Sequence, residues 1–367
     1  MALASHTPTT WDTILSTTMH NYRKTLTDNV FQGRPLLEHL MSKGRVRTVD
    51  GGISIVEPLL LGPGEANSYG PWQQLTVNAV AGISAAQYAW KQIYATIIIS
   101  GLEEAQNSGK EQMISLLEAK IMQAEETLRQ VLSQMIWGTR GGAALATDFT
   151  AFTALIDATG AAGGITPAAS PAPENNWRSP TWDATANTGV DALGAAITIP
   201  GAAMTSPYDG SELERVLRHM FMLASDGGGD MPDGIFCGLG WYEAYEASLT
   251  PQVRYTDTQK ANLGFQNILF KNVPLTWDPD APTGTALGVN SKYIGMTLHS
   301  QRNFAQSPFT GNLSGSVAST ANANPGATPA APAANAIDAR VSFITTYGNS
   351  TTRQRRRNFK ITLATFS

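Results

Sequence analysis

The chain has 367 residues, of which 42% are hydrophobic and only 15% charged, against about 25% charged in an ordinary soluble domain. That length allows one large domain or two modest ones with real cores. A surface short of charge is expected to be covered by something else, and neighbouring copies are the simplest cover. A net charge of −4 argues against a dedicated nucleic-acid binder. The longest apolar stretch, around Ile93 to Leu102, is far shorter than the roughly 20 residues of a membrane span. The opening MALASHTPTT lacks a basic region followed by an apolar core, so no secretory signal is expected. One cysteine, Cys237, excludes an intrachain disulfide framework, as suits a reducing cytoplasm.

Leu15, Met19, Tyr22, Leu26 and Val30 recur at helical spacing and predict a helix over 11–31. Pro35 opens a short second helix through Met41, stopped at Gly44. The pair reads equally as packed helices or as an arm reaching over a neighbour. From 52 to 100 the pattern changes to strands. Ile53, Ile55 and Leu59–Leu61 mark one, and Tyr88, Trp90, Ile93 and the run Tyr94 to Ile99 mark a returning one. Gly62 to Gly82 between them is rich in Gly, Pro, Asn and Gln and carries Tyr69, Trp72, Gln73 and Gln74. Loops this long inside compact domains are usually functional. A hairpin with an aromatic, nearly uncharged tip has little to bury in its own subunit and looks built to lie on another.

Met113, Leu117, Ile121, Ala124, Leu128, Val131 and Met135 form the strongest periodic stripe in the chain. They predict a helix over 109–136, with a capping box at Ser108 and Glu111 and a stop at Gly138. About 28 residues at ~1.5 Å each give a rod of roughly 42 Å. A coiled coil is the competing reading, weakened by the alanines. Residues 158 to 207 are rich in Ala, Gly, Pro and Thr. A helix over Ser211–Leu223, a strand over Asp233–Cys237 and a helix over Trp241–Leu249 follow. Strands are expected within Leu263–Pro282, with a turn at Asp278–Ala281, and over Gly288–Leu298. No charged residue lies between Asn303 and Ile337, and GATPAAPAANA is low complexity. Two strands close the pattern, Ala339–Tyr347 and Asn358–Thr365, joined by a polar turn holding Arg353, Arg355, Arg356 and Arg357.

Catalytic chemistry is hard to find. His6, His20, His39, His219 and His299 have no metal-type spacing, and Asp278-Pro-Asp280 reads as a turn and not a calcium loop. Gly238-Leu239-Gly240, between a strand and a helix, begins like a dinucleotide site, but the third glycine position is Glu243, whose carboxylate would repel a pyrophosphate. No cofactor or metal is expected. The arginine run is the one basic cluster. It is expected to meet acidic groups of adjacent subunits, with non-specific contact to phosphates as the other reading.

The order of these segments resembles the major capsid proteins of tailed phages, an α+β fold named for bacteriophage Hong Kong 97. LTDNVFQGRPLLEHL leading into VDGGISIVEPLL, then AWKQIYATIIISGLEEAQNSGKEQMISLLEAKI, carry the likeness, with LGFQNILFKNVPLTWDPDAP and LGVNSKYIGMTLH later on. The resemblance implies an N-terminal arm (1–50), an extended loop (51–100), and a peripheral domain with spine helix and returning strands (101–138 and 338–367). Residues 139–337 would form an axial domain. It implies a virion protein, assembled in the host cytoplasm into hexamers and pentamers around double-stranded DNA, with no membrane partner. Tyr69, Trp72, Gln73, Gln74, Arg353, Arg355, Arg356 and Arg357 would then lie at subunit interfaces.

Some members of that family carry a long scaffolding region ahead of the arm. Here about fifty residues precede the loop, which implies a separate scaffolding protein, beside a portal protein and an optional decoration protein. No basic residue lies between Arg47 and Lys91, so no lysine cross-link from the loop is expected. A nanocompartment (encapsulin-like) shell protein is the alternative with the same fold, disfavoured by the Gly/Ala/Pro-rich insertions. A tail-tube subunit would not need so long a helix. An α+β enzyme using Gly238–Gly240 would need a convergent polar site and would be stabilised by its ligand.

Overall fold

The computed structural model describes residues 33–75, 82–106, 116–142, 145–169, 172–184, 188–197, 199, 210–225, 229–249, 268–309 and 339–363. The helix expected over 11–31, the cap at Ser108 and Glu111 and most of the uncharged stretch before Ala339 lie outside the described residues. The helices are α1 (Pro35–Ser42), α2 (Gly101–Gln106), α3 (Leu116–Trp137), α4 (Phe152–Leu155), α5 (Gly210–Ser225) and α6 (Leu239–Ser248). The strands begin with β1 (Val46–Val49), β2 (Ser54–Leu60), β3 (Ile83–Ala89), β4 (Lys91–Ser100), β5 (Thr181–Asp183), β6 (Thr188–Val190), β7 (Ala196–Ile197) and β8 (Gly234–Cys237). They continue with β9 (Ile268–Phe270), β10 (Val273–Trp277), β11 (Thr285–Val289), β12 (Ile294–His299), β13 (Ala305–Gln306), β14 (Ala339–Thr352) and β15 (Phe359–Thr362).

The chain divides into two compact units. The smaller takes Thr96–Glu126 and Ser307–Phe343, and the larger takes Gln32–Ala95, Thr127–Gln306 and Ile344–Ser367. In the smaller, Lys120 Nζ donates to the Ile98 carbonyl at 2.8 Å and to Glu103 at 2.7 Å, fixing α2 against the start of α3.

The core of the larger unit lies between α5, α6 and an eight-stranded sheet of order β7-β6-β5-β15-β11-β8-β10-β9. Leu213, Val216, Leu217, Met220, Phe221 and Ala224 recur at the helical period and are all fully buried, so α5 offers the sheet one continuous apolar stripe. Across it lie Trp182, Ile235, Ala286, Phe359 and Ile361. β8 and β11 are buried at every position, as expected of central strands covered on both faces. β9 turns into β10 through Lys271 and Asn272, both at positive φ (48° and 65°), the mirror-image geometry that matches strand twist in two-residue hairpins.

A five-stranded sheet has the order β1-β12-β14-β13, with β4 also pairing β14. α3 buries Ala124, Leu128, Leu132 and Met135, while Leu117, the first described residue of the stripe expected from Met113 onward, is exposed. Its end is a hydrogen-bonded cap: Gly138 N–H bonds Met135 O at 3.1 Å and Thr139 N–H bonds Gln134 O at 2.9 Å. Only a residue at positive φ closes that pair, and Gly138 has φ 76°.

Four expectations about the strands need correction. Residues 46–49, assigned to the arm, are β1, a parallel partner of β12. The single returning strand is two, because Trp90 turns aside to donate its indole N–H to Gly52 O at 2.8 Å. The chain then leaves β3 for a different sheet. The strand over Gly288–Leu298 is likewise two, broken where buried Asn290 and Ser291 bond Asn358, Met231 and Asp233. The segment 338–367 does not return as one body: β14 enters the five-stranded sheet, whereas β15 lies between β5 and β11 in the eight-stranded one.

Candidate functional site

β2 and β3 form a sheet of their own, an antiparallel ribbon paired from Ser54↔Ala89 to Leu60↔Ile83. Strand alternation gives it two faces. Ile55, Glu57, Leu59, Ala86 and Tyr88 point inward and are buried. On the other face the opposed pair Leu60 and Ile83 is 79% and 83% exposed, with Val56 beside it at 47%. An isolated two-stranded ribbon is marginal in water, so something must anchor the inner face.

Glu57 is the centre of that anchor. Its side chain is 4% exposed, with Arg47 Nη1 donating to one carboxylate oxygen at 3.0 Å and Arg353 Nε to the other at 3.0 Å. Tyr88, opposite Ile55, donates its hydroxyl to the Thr352 carbonyl at 3.1 Å. Burial raises the Tyr88 pKa to about 12, so the phenol stays a donor. The edge of β3 is met by a tight turn: Gln87 N–H bonds Gly163 O at 2.8 Å. Asn176 Nδ2 donates to Leu61 O at 2.6 Å. Beyond Leu61 the anchoring contacts end and the loop toward Gly82 begins.

Arg355 holds the turn that holds the ribbon. It is 1% exposed and donates to the carbonyls of Leu155 and Gly160 at 2.8 Å and of Trp177 at 2.9 Å. Trp177 in turn donates its indole N–H to Ala162 O at 2.9 Å, one residue from Gly163. Burial lowers the Arg355 pKa to about 10, still far above neutrality, so the guanidinium remains charged.

The expected interface residues therefore fall into two groups. Tyr69 and Trp72 are 72% and 104% exposed in the loop, beside exposed Gln73 and Gln74. Gln73 closes a local turn, its Oε1 accepting Gly70 N–H at 2.9 Å. Trp72 has φ 70°, a conformation that disfavours a large side chain. The arginine run does not act as one cluster. Arg355 is a correction: burial and four carbonyl acceptors, Ala154 O at 3.4 Å being the fourth, tie it inside its own subunit. Arg357 Nη1 donates to Ser225 O at 3.1 Å, Arg353 binds Glu57, and Arg356 is half-buried. Sequence reasoning missed Glu57, Arg47 and Tyr88, although a lone glutamate in an apolar alternating strand was a usable signal.

Between the outer end of β2 and the 292–293 and 353–356 segments lies a cleft of about 690 Å³, walled by Pro58, Leu60, Pro63, Lys292, Arg353 and Arg356 among others. At the other expected site, Gly238 is the tight entry to α6: a Cβ there would lie 2.8 Å from Pro282 O. Close backbone packing accounts for that glycine. The Asp278-Pro-Asp280 turn is closed by Asp280 N–H to Asp278 Oδ1 at 3.0 Å and receives Leu36 N–H at 3.3 Å from the start of α1. Among the described residues no cluster of three His, Cys, Asp or Glu could hold a metal, and no helix is long and apolar enough to cross a membrane.

No protein-family model and no curated protein matches the chain. Solved structures do. A chain of the Cyanophage A-1(L) capsid superposes with a TM-score of 0.60 at 16% identity, over 95% of this chain and 97% of that one. The capsid of a native GTA particle gives 0.55 at 9% identity, over 95% and 96%. The capsid of Cyanophage P-SCSP1u gives 0.51 at 12% identity, over 96% and 95%. The chain has the Hong Kong 97-type capsid fold. The Hong Kong 97-type likeness extends over nearly the whole length of both chains. A shared local motif would not give that coverage.

Proposed function

We propose that this chain is the major capsid protein of a tailed phage, a structural subunit and not an enzyme. The observation that carries the reading is the ribbon of β2 and β3: anchored at its root by Glu57, apolar and uncovered on its outer face, on a fold shared end to end with phage capsid chains. Subunits form hexamers and pentamers of an icosahedral shell around double-stranded DNA. The ribbon is the extended loop, and its tip lays Tyr69, Trp72, Gln73 and Gln74 on a neighbour. α3 is the spine helix of a peripheral domain, and the eight-stranded sheet with α5 and α6 belongs to the axial domain.

A subunit held at several weak sites gains by effective concentration, and head-to-tail contacts close into a shell when the rotations permit. Assembly in the host cytoplasm calls on a separate scaffolding protein and a portal protein, and a decoration protein can reinforce the shell. The loop tip lacks a lysine, with no basic residue between Arg47 and Lys91, so its contacts are non-covalent. The test is electron microscopy of the overexpressed chain with and without the candidate scaffold. Closed shells support the reading, and a persistent monomer under every condition overturns it.

A further inference from the structure

We propose that residues 157–165 act as an ionic bracket: the Asp157–Lys360 pair keeps this loop closed, and opening it frees the outer edge of the ribbon. The inference goes beyond the capsid reading and does not depend on it. Every residue involved lies in the larger unit of a single chain.

The bracket is built from the carboxylate outward. Asp157 Oδ1 accepts the Lys360 ammonium at 2.6 Å. Its Oδ2 accepts Gly160 N–H at 2.7 Å, the Thr159 hydroxyl at 3.2 Å and Thr159 N–H at 3.3 Å. All of these partners donate. An ionised carboxyl only accepts, so the charged form satisfies every contact, whereas a protonated one sets its own hydrogen against a donor. The Arg355 guanidinium faces the same carboxylate and also favours its charged form. Arg178 closes that side of the loop, donating from Nη1 to Ala158 O at 2.8 Å. Lys360 comes from β15, and its ammonium also reaches Thr153 O at 3.2 Å.

The other end of the loop meets the ribbon. Ala162 and Ile165 exchange backbone hydrogen bonds at 3.1 Å. Gly163 and Gly164, at φ 60° and 77°, then turn the chain so that Gly163 O takes the Gln87 amide at 2.8 Å. One short loop thus connects a strand of the eight-stranded sheet to the edge of β3. Glu57 holds the inner face separately through Arg47 and Arg353, so an open bracket loosens β3 without detaching the ribbon. Acid opens it. Burial would raise the Asp157 pKa, but Lys360 and the loop amides hold it below its ordinary value. The bracket is therefore closed above about 3.9 and opens as pH falls through the folded-state value.

The test follows backbone hydrogen exchange of the full soluble chain across an acid-to-neutral pH series. Exchange is expressed as protection factors, which removes its intrinsic pH dependence. In the wild type, protection across 83–89, Gln87 above all, is expected to fall about tenfold in acid before the eight-stranded sheet loses its own. Lys360→Gln should move the midpoint of that fall up by about one pH unit, a shift that a merely structural role for Lys360 would not produce. Asp157→Asn should show the low value already at neutral pH and no further step in acid. Glu57→Gln lowers protection throughout the ribbon but should leave the midpoint where it was. The inference is overturned by an unmoved midpoint in Lys360→Gln, by full Gln87 protection in Asp157→Asn, or by a midpoint that shifts with Glu57→Gln. Loss of Gln87 protection in the wild type only together with the eight-stranded sheet overturns it without any variant having to fold.

Discussion

Arg353 Nε reaches the Glu57 carboxylate at 3.0 Å across 296 positions of sequence. That bond ties the far end of β14 to the middle of β2, and Arg47 at the same carboxylate adds β1. Both arginines are about half exposed, so solvent screens them and they can turn to water when released. Glu57→Gln is therefore expected to cost about 1–2 kcal/mol, less than breaking a fully buried pair. Urea denaturation measures the loss. Hydrogen exchange should rise across 54–60 and 83–89 more than in the eight-stranded sheet, and uniform exchange would show that the ribbon is anchored elsewhere.

Arg355→Lys is expected to be worse than its chemistry suggests. An ammonium cannot reproduce the planar fork that serves Leu155, Gly160 and Trp177 together, and each abandoned buried carbonyl costs about 1–3 kcal/mol. A loss of roughly 2–4 kcal/mol follows. The denaturant midpoint checks it, and exchange in 154–165 should rise with it.

Trp72 separates stability from assembly. Fully exposed and at φ 70°, it contributes nothing visible to its own subunit. Trp72→Gly is expected to leave the soluble subunit as stable or up to about 1 kcal/mol more stable, because glycine relieves the backbone. Shell yield should fall. Normal shells from this variant would remove the tip from the assembly surface.

Gly163→Ala tests the turn under β3. The site has φ 60° and a Cβ would lie 2.5 Å from Ala86 Cβ, so both backbone and packing resist. A loss of about 2–4 kcal/mol is expected, read as a lower melting temperature. A neutral result would mean that the turn gives way without disturbing the ribbon.

Acid sensitivity has a definite source at Asp157. Burial alone would raise its pKa, but the Lys360 ammonium at 2.6 Å and the N–H groups of Gly160 and Thr159 outweigh it and hold the carboxyl below its ordinary value. A depressed folded-state pKa stabilises above the unfolded value of about 3.9, and that contribution is lost as pH falls through the folded value. Asp157→Asn should lower stability near neutrality and flatten its fall below about pH 4. Asp278 acts oppositely: burial raises its pKa, so its contribution is largest in acid and fades as pH rises. Urea midpoints over a pH series would show an unchanged acid slope if Asp157 were not responsible.

Local periodicity made the helices legible. α1, the described part of α3, α5 and α6 fall where apolar spacing, Pro35 and Gly138 put them. Strand partition was less legible, because an apolar run does not announce a change of sheet. Trp90 and Asn290 break runs through hydrogen bonds to Gly52 and Asn358, partners that no local window contains. The turn at Lys271–Asn272 lacks the usual Asn-Gly signal. At the site, exposure of Tyr69 and Trp72 followed from a loop that is nearly uncharged and has little of its own subunit to cover it. The clustered arginines misled because Arg355 sits among apolar groups that sequence does not mark as its neighbours.

The position of β15 also governs when the molecule can exist. Residues 359–362 are the fourth of eight strands, wedged between β5 and β11. A nascent polypeptide that has not yet delivered them leaves two half-sheets facing each other across an empty slot. The eight-stranded sheet is therefore complete only once residues 359–362 have been made and inserted, however early its other strands emerge.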